Sequence, residues 1–264
     1  MRLYDAHNHL HDERLRPWID DIVETLPSLG VACAVVNGTS ESDWEAVARL
    51  ARRHSWIKPS FGLHPWYVHT RSPHWQDALR GYLAEFPNAA VGEIGLDRWI
   101  ANPDLPAQED AFRAQLDIAS ALGRPVTIHC LRAWGALEAV LSAAPLPPHG
   151  FLLHSYGGPV EMVPKFVSLG ACFSLSPCFT HERKSQQARV FAAVPLDRML
   201  AETDAPDMWP PDSLNGHPLH DSQGNPLNHP ANIELSYRKL AEIRSMALAD
   251  LASQIEANFH RLFE

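Results

Sequence analysis

Apolar residues recur along this chain in short unbroken runs, separated by longer stretches where they return every three or four positions. The runs cover residues 2–6, 31–37, 58–63, 90–94, 125–129, 151–154, 171–174 and 198–202. Several are apolar on nearly every residue, the pattern of strands covered on both faces. The stretches between them carry helical spacing. Ser42 and Glu45 read as a capping box, and Val47, Leu50, Ala51 and His54 follow at the helical period. Phe112, Leu116, Ala119 and Leu122 fall on one stripe of a helix over 106–122. Leu248, Leu251, Ile255, Phe259 and Leu262 do the same for the last helix. Strands alternating with helices predict a parallel α/β fold. Eight strands in 264 residues favour a (β/α)8 TIM barrel, a single domain over 1–264. A doubly wound open sheet is the alternative that the same alternation allows.

One stretch breaks the pattern. Residues 206–230 hold Pro206, Pro210, Pro211, Pro218, Pro226 and Pro230 with little periodicity. A structureless loop of that length is commonly functional. Following the last strand, it reads either as a substrate-selecting cap on the active-site rim or as a peripheral connection.

Acidic and imidazole side chains stand at the ends of the predicted strands. Asp5-Ala6-His7-Asn8-His9 opens the series, and His64, Glu93, His129, His154 and Asp204 continue it. Such residues, spread along the chain yet always at one end of a strand, imply a shared rim. In a parallel barrel that rim is the active-site face. These side chains are also the types that bind divalent metals and activate water. His7 and His9 share a strand face at period 2, so both can reach one ion. Asp5 is placed to orient a ligand from behind, and His11, beyond the strand, is expected in solvent. Glu93 ends a buried strand between Gly92 and Gly95. A carboxylate there is costly unless paired or bound to metal, so it reads as a bridging ligand or a structural salt bridge. His129 and His154 each read alone as a satisfied core residue or a ligand. Asp204 reads as a ligand and proton acceptor, or as a turn aspartate. The whole set, more than any member, points to metal chemistry.

Composition narrows the partners. Twenty-two basic against 31 acidic residues leave a net charge of −9, which counts against non-specific coating of DNA. A small positive groove remains compatible with it. Cys33, Cys130, Cys172 and Cys178 form no C-x-x-C pair, so no disulfide framework or zinc finger is expected. The first three lie in or at the end of apolar runs, where thiols are commonly buried and inert. The start does not resemble a signal peptide, and no run of about 18 apolar residues occurs. The expectation is a soluble, reduced, cytoplasmic protein with no membrane contact and no obligate protein partner. G-x-S-x-G, Walker A, H-E-x-x-H and G-x-G-x-x-G signatures are all absent. The mixed nitrogen and oxygen donors suit zinc, manganese, nickel or iron, and magnesium less well at the histidines.

At this point the chain resembles a known family. Asp5-Ala6-His7-Asn8-His9-Leu10, Gly62-Leu63-His64-Pro65, Gly92-Glu93-Ile94-Gly95-Leu96-Asp97, Ile128-His129 and Glu202-Thr203-Asp204-Ala205-Pro206 are similar to the successive signatures of the TatD family. Asn228-His229-Pro230-Ala231, Asn258 and Phe263 extend the likeness over essentially the whole chain. These are metal-dependent hydrolases of the amidohydrolase superfamily. The resemblance implies a TIM barrel with two divalent ions, zinc, manganese, magnesium or nickel. His7, His9, Glu93 and Asp204 would hold the first ion, and Glu93, His129 and His154 the second. Glu93 would fix the ion spacing, and Asp204 would take the proton of a metal-activated water. His64 would contact a substrate phosphate. Characterised members cleave phosphodiester bonds in DNA, often from the 3′ end, so a DNase is the expected function. A small-molecule hydrolase of esters, lactones, amides or phosphates on the same binuclear site is the alternative. A non-catalytic metal-binding protein is a third reading.

The chain departs from the family in one place that matters. Many members read serine, arginine, aspartate after the fifth-strand histidine, whereas here the order is His129-Cys130-Leu131-Arg132-Ala133. Leu131 stands at the usual basic position, and Arg132, displaced by one residue, is the expected substrate contact. The segment 179–184 lacks the usual lysine-bearing match; its basic residues read as a solvated helix start or, alternatively, as contacts to a substrate backbone.

Overall fold

The apolar runs form the strands of one parallel sheet. In the computed structural model, which describes residues 1–264, these are β1 (Leu3–Asn8), β2 (Val31–Asn37), β3 (Ile57–Phe61), β4 (Ala90–Asp97), β5 (Val126–Leu131), β6 (Phe151–Leu153), β7 (Ala171–Leu175) and β8 (Met199–Ala201). They pair in chain order, β1 through β8. Just past β8, Asp204 N donates to His7 O at 2.9 Å and His9 N donates to Ala205 O at 2.7 Å. These two bonds lace the extension of β8 to the end of β1, so the ring all but closes. The fold is the expected TIM barrel and not an open sheet.

Helices cover the outside: α1 (Ile19–Ser28), α2 (Trp44–Arg53), α3 (Trp75–Glu85), α4 (Leu105–Ala121), α5 (Trp134–Ala143), α6 (Val163–Ser168), α7 (Gln186–Ala193), α8 (Ile233–Arg244) and α9 (Leu248–Phe263). Each lays an apolar stripe on the strands. In α9, Leu251, Ile255, Phe259 and Leu262 are buried, and the Phe259 ring meets Tyr4 of β1 at 4.9 Å. In α4, Phe112, Leu116 and Ala119 are buried as expected, but Leu122 caps the helix and is exposed. No helix is long and apolar enough to cross a membrane.

Three local expectations fail for identifiable reasons. The capping box at Ser42 does not form. Asp43 is the N-cap of α2, its carboxylate accepts Thr39 N–H at 3.0 Å, and Glu45 turns outward to Arg52 at 3.0 Å. Glu93 does not end its strand, because β4 runs on to Asp97 through a register shift between Val91 and Ile94. Residues 206–230 are not structureless. They fold back as an antiparallel hairpin, β9 (Pro218–His220) and β10 (Pro226–Asn228). Asp221 shapes its turn by accepting Gln223 N–H and Asn225 N–H, both at 2.8 Å. Asn228 pins the hairpin by donating to Pro206 O and Thr203 O, each at 2.8 Å. Of the segment, Asp207 and Met208 alone line the active-face cleft, so the rest is a peripheral connection.

Candidate metal centre

The seam between β1 and β8 places the first donors. His7 lies on β1 and His9 one residue past its end. Asp5, buried beneath them, accepts Thr203 N–H (3.0 Å), Thr203 Oγ1–H (2.6 Å) and His7 N–H (3.2 Å). It therefore holds from behind the backbones that carry His7 and Asp204, and touches no imidazole. Asp204 has φ +53°. Aspartate tolerates this left-handed region better than most residues, and the kink turns its carboxylate toward β1. Its Oδ1 lies 3.6 Å from His7 Nε2 and 3.5 Å from His9 Nε2.

Glu93 is the centre of the cluster. Its Oε2 meets His7 Nε2 at 3.3 Å and His9 Nε2 at 3.2 Å. Its Oε1 meets His64 Nε2 at 3.3 Å, His129 Nδ1 at 3.1 Å and His154 Nε2 at 2.9 Å. The two glycines of its motif make this possible. Gly95 has φ +143°, and a Cβ there would stand 2.0 Å from His129 O. A Cβ at Gly92 would stand 1.8 Å from Thr127 Oγ1. Their absence of side chains lets β5 press against β4 and brings His129 to the carboxylate.

The outer hydrogen bonds fix which nitrogens carry protons. His9 Nδ1 donates to Asn37 O at 2.7 Å, and His129 Nε2 donates to Asp97 Oδ2 at 3.0 Å. Both partners only accept, so in the neutral rings the inward nitrogens present lone pairs to carboxylate oxygens. His154 repeats the arrangement more loosely, with Nδ1 3.7 Å from Glu202 Oε1. Lone pair facing lone pair is repulsive unless a cation lies between. Protons cannot serve for all of them, because His7 stacks on His154 with centroids 4.0 Å apart and cationic rings would be in contact. The donors thus fit divalent metal. His7–His9–Asp204, His7–Glu93–His154 and His64–Glu93–His129 each set their donor atoms within 4.8 Å of one another. His64 differs in one respect. Its Nδ1 accepts Trp66 N–H at 3.2 Å, so its Nε2 carries the proton and donates to Glu93. It orients the carboxylate and offers no lone pair to an ion.

Charge follows from the same contacts. Burial opposes ionisation of Glu93, yet the surrounding imidazoles, His154 first, hold its carboxyl well below the usual range. Burial opposes charge on His9 too, but Asp204 and Glu93 together raise it well above the ordinary imidazole value. Burial dominates at His64 and pushes it down to about 4. A cleft of about 730 Å³ opens over these residues.

Comparison with protein families matches residues 4–264 to TatD related DNase. The chain belongs to that family. It is 29% identical over 264 residues to the uncharacterized metal-dependent hydrolase YjjV of Escherichia coli, covering 99% of this chain and 98% of that protein. It is 31% identical over 255 residues to the 3′-5′ ssDNA/RNA exonuclease TatD of the same organism, covering 92% of each. The crystal structure of E. coli YjjV superposes with a TM-score of 0.89 at 28% identity, over 99% of this chain and 98% of that one. Metal-dependent hydrolysis on a TIM barrel, the class expected from sequence, is the class of these TatD relatives.

The remaining expectations fare differently in this TatD-family chain. His7, His9, Glu93, His129, His154 and Asp204 converge on one rim, and His64 joins them. Arg132 does not enter the cleft. It has φ +54° and lays its guanidinium 4.6 Å over the Trp99 ring, while Leu131 lines the cleft in its place. Lys184, read either as solvated or as a backbone contact, lines the cleft. His11 is also not solvated, with a side chain 6% exposed and Nε2 3.5 Å from Asp43 Oδ2. Cys130, Cys172 and Cys178 are buried and Cys33 partly so; burial pushes Cys130 up to about 12, which keeps it inert.

Sequence reasoning missed three supports. Asp97 is buried and accepts from His129, Trp66 and Trp99. Glu202 is buried and accepts hydroxyl protons from Ser155 and Ser174 while facing His154. Gln108 and Gln115 reach from α4 to clamp the backbones of Asp97 and Leu63. Asp97 and Glu202 stand inside the family signatures, and that placement was the available signal.

Proposed function

We propose that this protein hydrolyses phosphodiester bonds, removing nucleotides from the 3′ end of single-stranded nucleic acid with two divalent ions. The observation that carries the reading is the division of imidazoles between the two oxygens of Glu93. His7 and His9, with Asp204, gather at Oε2, and His129 and His154 gather at Oε1. One set would hold each ion, with Glu93 shared. The ions, when bound, supply Lewis acidity that polarises a phosphoryl oxygen and acidifies water.

The chain's own groups do the rest. The Asp204 carboxylate, at the floor of the cleft, accepts the proton of the attacking water and returns it to the leaving oxygen. Glu93 fixes the spacing of the two sites, and His64 holds Glu93 in place through its Nε2–H. Asp97 and Glu202 keep His129 and His154 turned inward. Arg49 and Lys184 line the cleft without carboxylate partners, and they suit backbone phosphates. Arg14 is spent on Asp12 and Asp207 at 2.7 and 2.8 Å. That neutralisation, with Leu131 at a usually basic position, supports a small-molecule ester or phosphate hydrolase as the second reading.

Release of mononucleotides from a 3′-labelled single strand tests the proposal. Protein stripped by chelation would be reloaded with manganese, magnesium or zinc, and the bound metal counted. Release by loaded wild type, absent from stripped protein and from Asp204→Asn, is the expected result. No release at two metals per chain would discard the nuclease in favour of the small-molecule reading.

A further inference from the structure

Two large indoles stand open to solvent at the cleft, Trp66 at 54% and Trp99 at 61% exposure. Single exposed apolar side chains need no explanation. These two differ because they line one cleft and are both tied to Asp97. Trp66 Nε1 donates to Asp97 Oδ2 at 2.7 Å, and the Trp99 backbone N–H donates to Asp97 Oδ1 at 2.6 Å. Arg132 covers one face of the Trp99 ring and so helps to hold it. The same Asp97 Oδ2 accepts from His129. One buried carboxylate thus sets the aromatic rim and a candidate metal donor in register.

We infer that Trp66 and Trp99 form a stacking platform for unpaired nucleobases beside the scissile bond, and that this platform selects single strands. The inference rests on the phosphodiesterase reading above. A rigid exposed π-face takes any base, because every base has one, and it pre-orders the contact. Bases within a duplex have both faces covered by their neighbours, so only an unpaired base can lie on an indole. Arg49 and Lys184 in the same cleft supply the backbone contacts that such a strand needs. An apolar ester group would gain only from buried area, which an aliphatic side chain provides as well as an indole.

The test uses manganese-loaded protein and a single strand carrying 2-aminopurine near its 3′ end, with a terminal methylphosphonate link that blocks cleavage. An abasic strand of the same length is the reference. Wild type is expected to quench the 2-aminopurine and to bind the abasic strand about tenfold more weakly. The double variant Trp66→Leu/Trp99→Leu keeps apolar area, and both residues are already more than half exposed, so folding should survive; thermal unfolding checks it. It should lose the quench and bind the two strands within about twofold of each other. A double variant that keeps both the quench and the preference would overturn the platform. Nucleotide release from an unmodified strand, measured beside it, separates the two claims. Quenching without release leaves the platform and removes the nuclease. Release with no dependence on the indoles removes the platform alone, and a strand that neither binds nor is cut removes both.

Discussion

Asp97→Asn isolates the support behind His129. The carboxylate receives three hydrogen bonds: Trp99 N–H on Oδ1, and Trp66 Nε1–H and His129 Nε2–H on Oδ2. An asparagine keeps the shape but only one acceptor oxygen. With that oxygen in the Oδ2 position, Trp99 N–H faces an amide NH₂. With it in the Oδ1 position, both side-chain donors do. In the milder case the His129 bond loses its ionic character, worth about 1 kcal/mol, and a donor is stranded. Loss of such an outer partner typically weakens metal binding by about 10- to 100-fold, or roughly 1.4–2.7 kcal/mol. The two estimates agree. Calorimetric titration of stripped protein with zinc should show this rise in Kd for Asp97→Asn. Activity should fall at limiting metal and recover as metal is raised. A Kd within about twofold of wild type would refute either the orienting role of Asp97 or the place of His129 among the ligands.

Glu93→Ala should remove most bound metal and all activity, whereas His64→Ala, which removes a donor to Glu93 and no lone pair, should keep bound metal; metal counting on both variants decides between them. Gly95→Ala would drive a Cβ to 2.0 Å from His129 O at φ +143°. It should destabilise the fold by about 3 kcal/mol or more, and a urea unfolding midpoint equal to wild type would contradict the close approach. His229 is pushed down to about 4 by burial and by His217, while the unfolded value is about 6.5. Between those values the unfolded chain binds more protons, so this residue makes stability fall as pH drops through that window. His229→Asn keeps an acceptor for Ala231 N–H and should flatten the pH dependence of thermal unfolding from 6.5 to 4; an unchanged slope would exclude His229 as its source.

The strands were legible because both of their faces are buried, which leaves continuous apolar runs with no solvent-facing residue to interrupt them. The misjudged end of β4 has the same cause in reverse. Glu93 looks like a terminus, since a charge inside a buried strand makes sense only beside five imidazoles that the sequence cannot place. The hairpin at 218–228 escaped notice because Pro218-Leu219-His220 and Pro226-Leu227-Asn228 are too short to display a period. Donors at the rim declared themselves by type and order. Their supports did not. Nothing in the sequence shows that Gln115 of α4 serves Leu63, 52 residues away, through its amide. His11 reads as solvated until Asp43 is brought to it. Arg132 reads as a substrate contact until its φ of +54° turns it onto Trp99. Each depends on a partner remote in sequence, and local pattern carries no trace of such a partner.

The seam between β1 and β8 gives the site a place in time. Asp5 meets Thr203 across 198 residues of chain, and this contact seats both His7 and Asp204. In the growing polypeptide the donors of β1 are made well before the strand that completes their site. A chain made only as far as β5 holds His7, His9, Glu93 and His129 but lacks His154 and Asp204, so its pocket is incomplete. A site that needs both His7 and Asp204 is therefore completed only when the ring shuts. The order of strands along the chain thereby makes closure of the barrel and completion of the candidate metal centre one event.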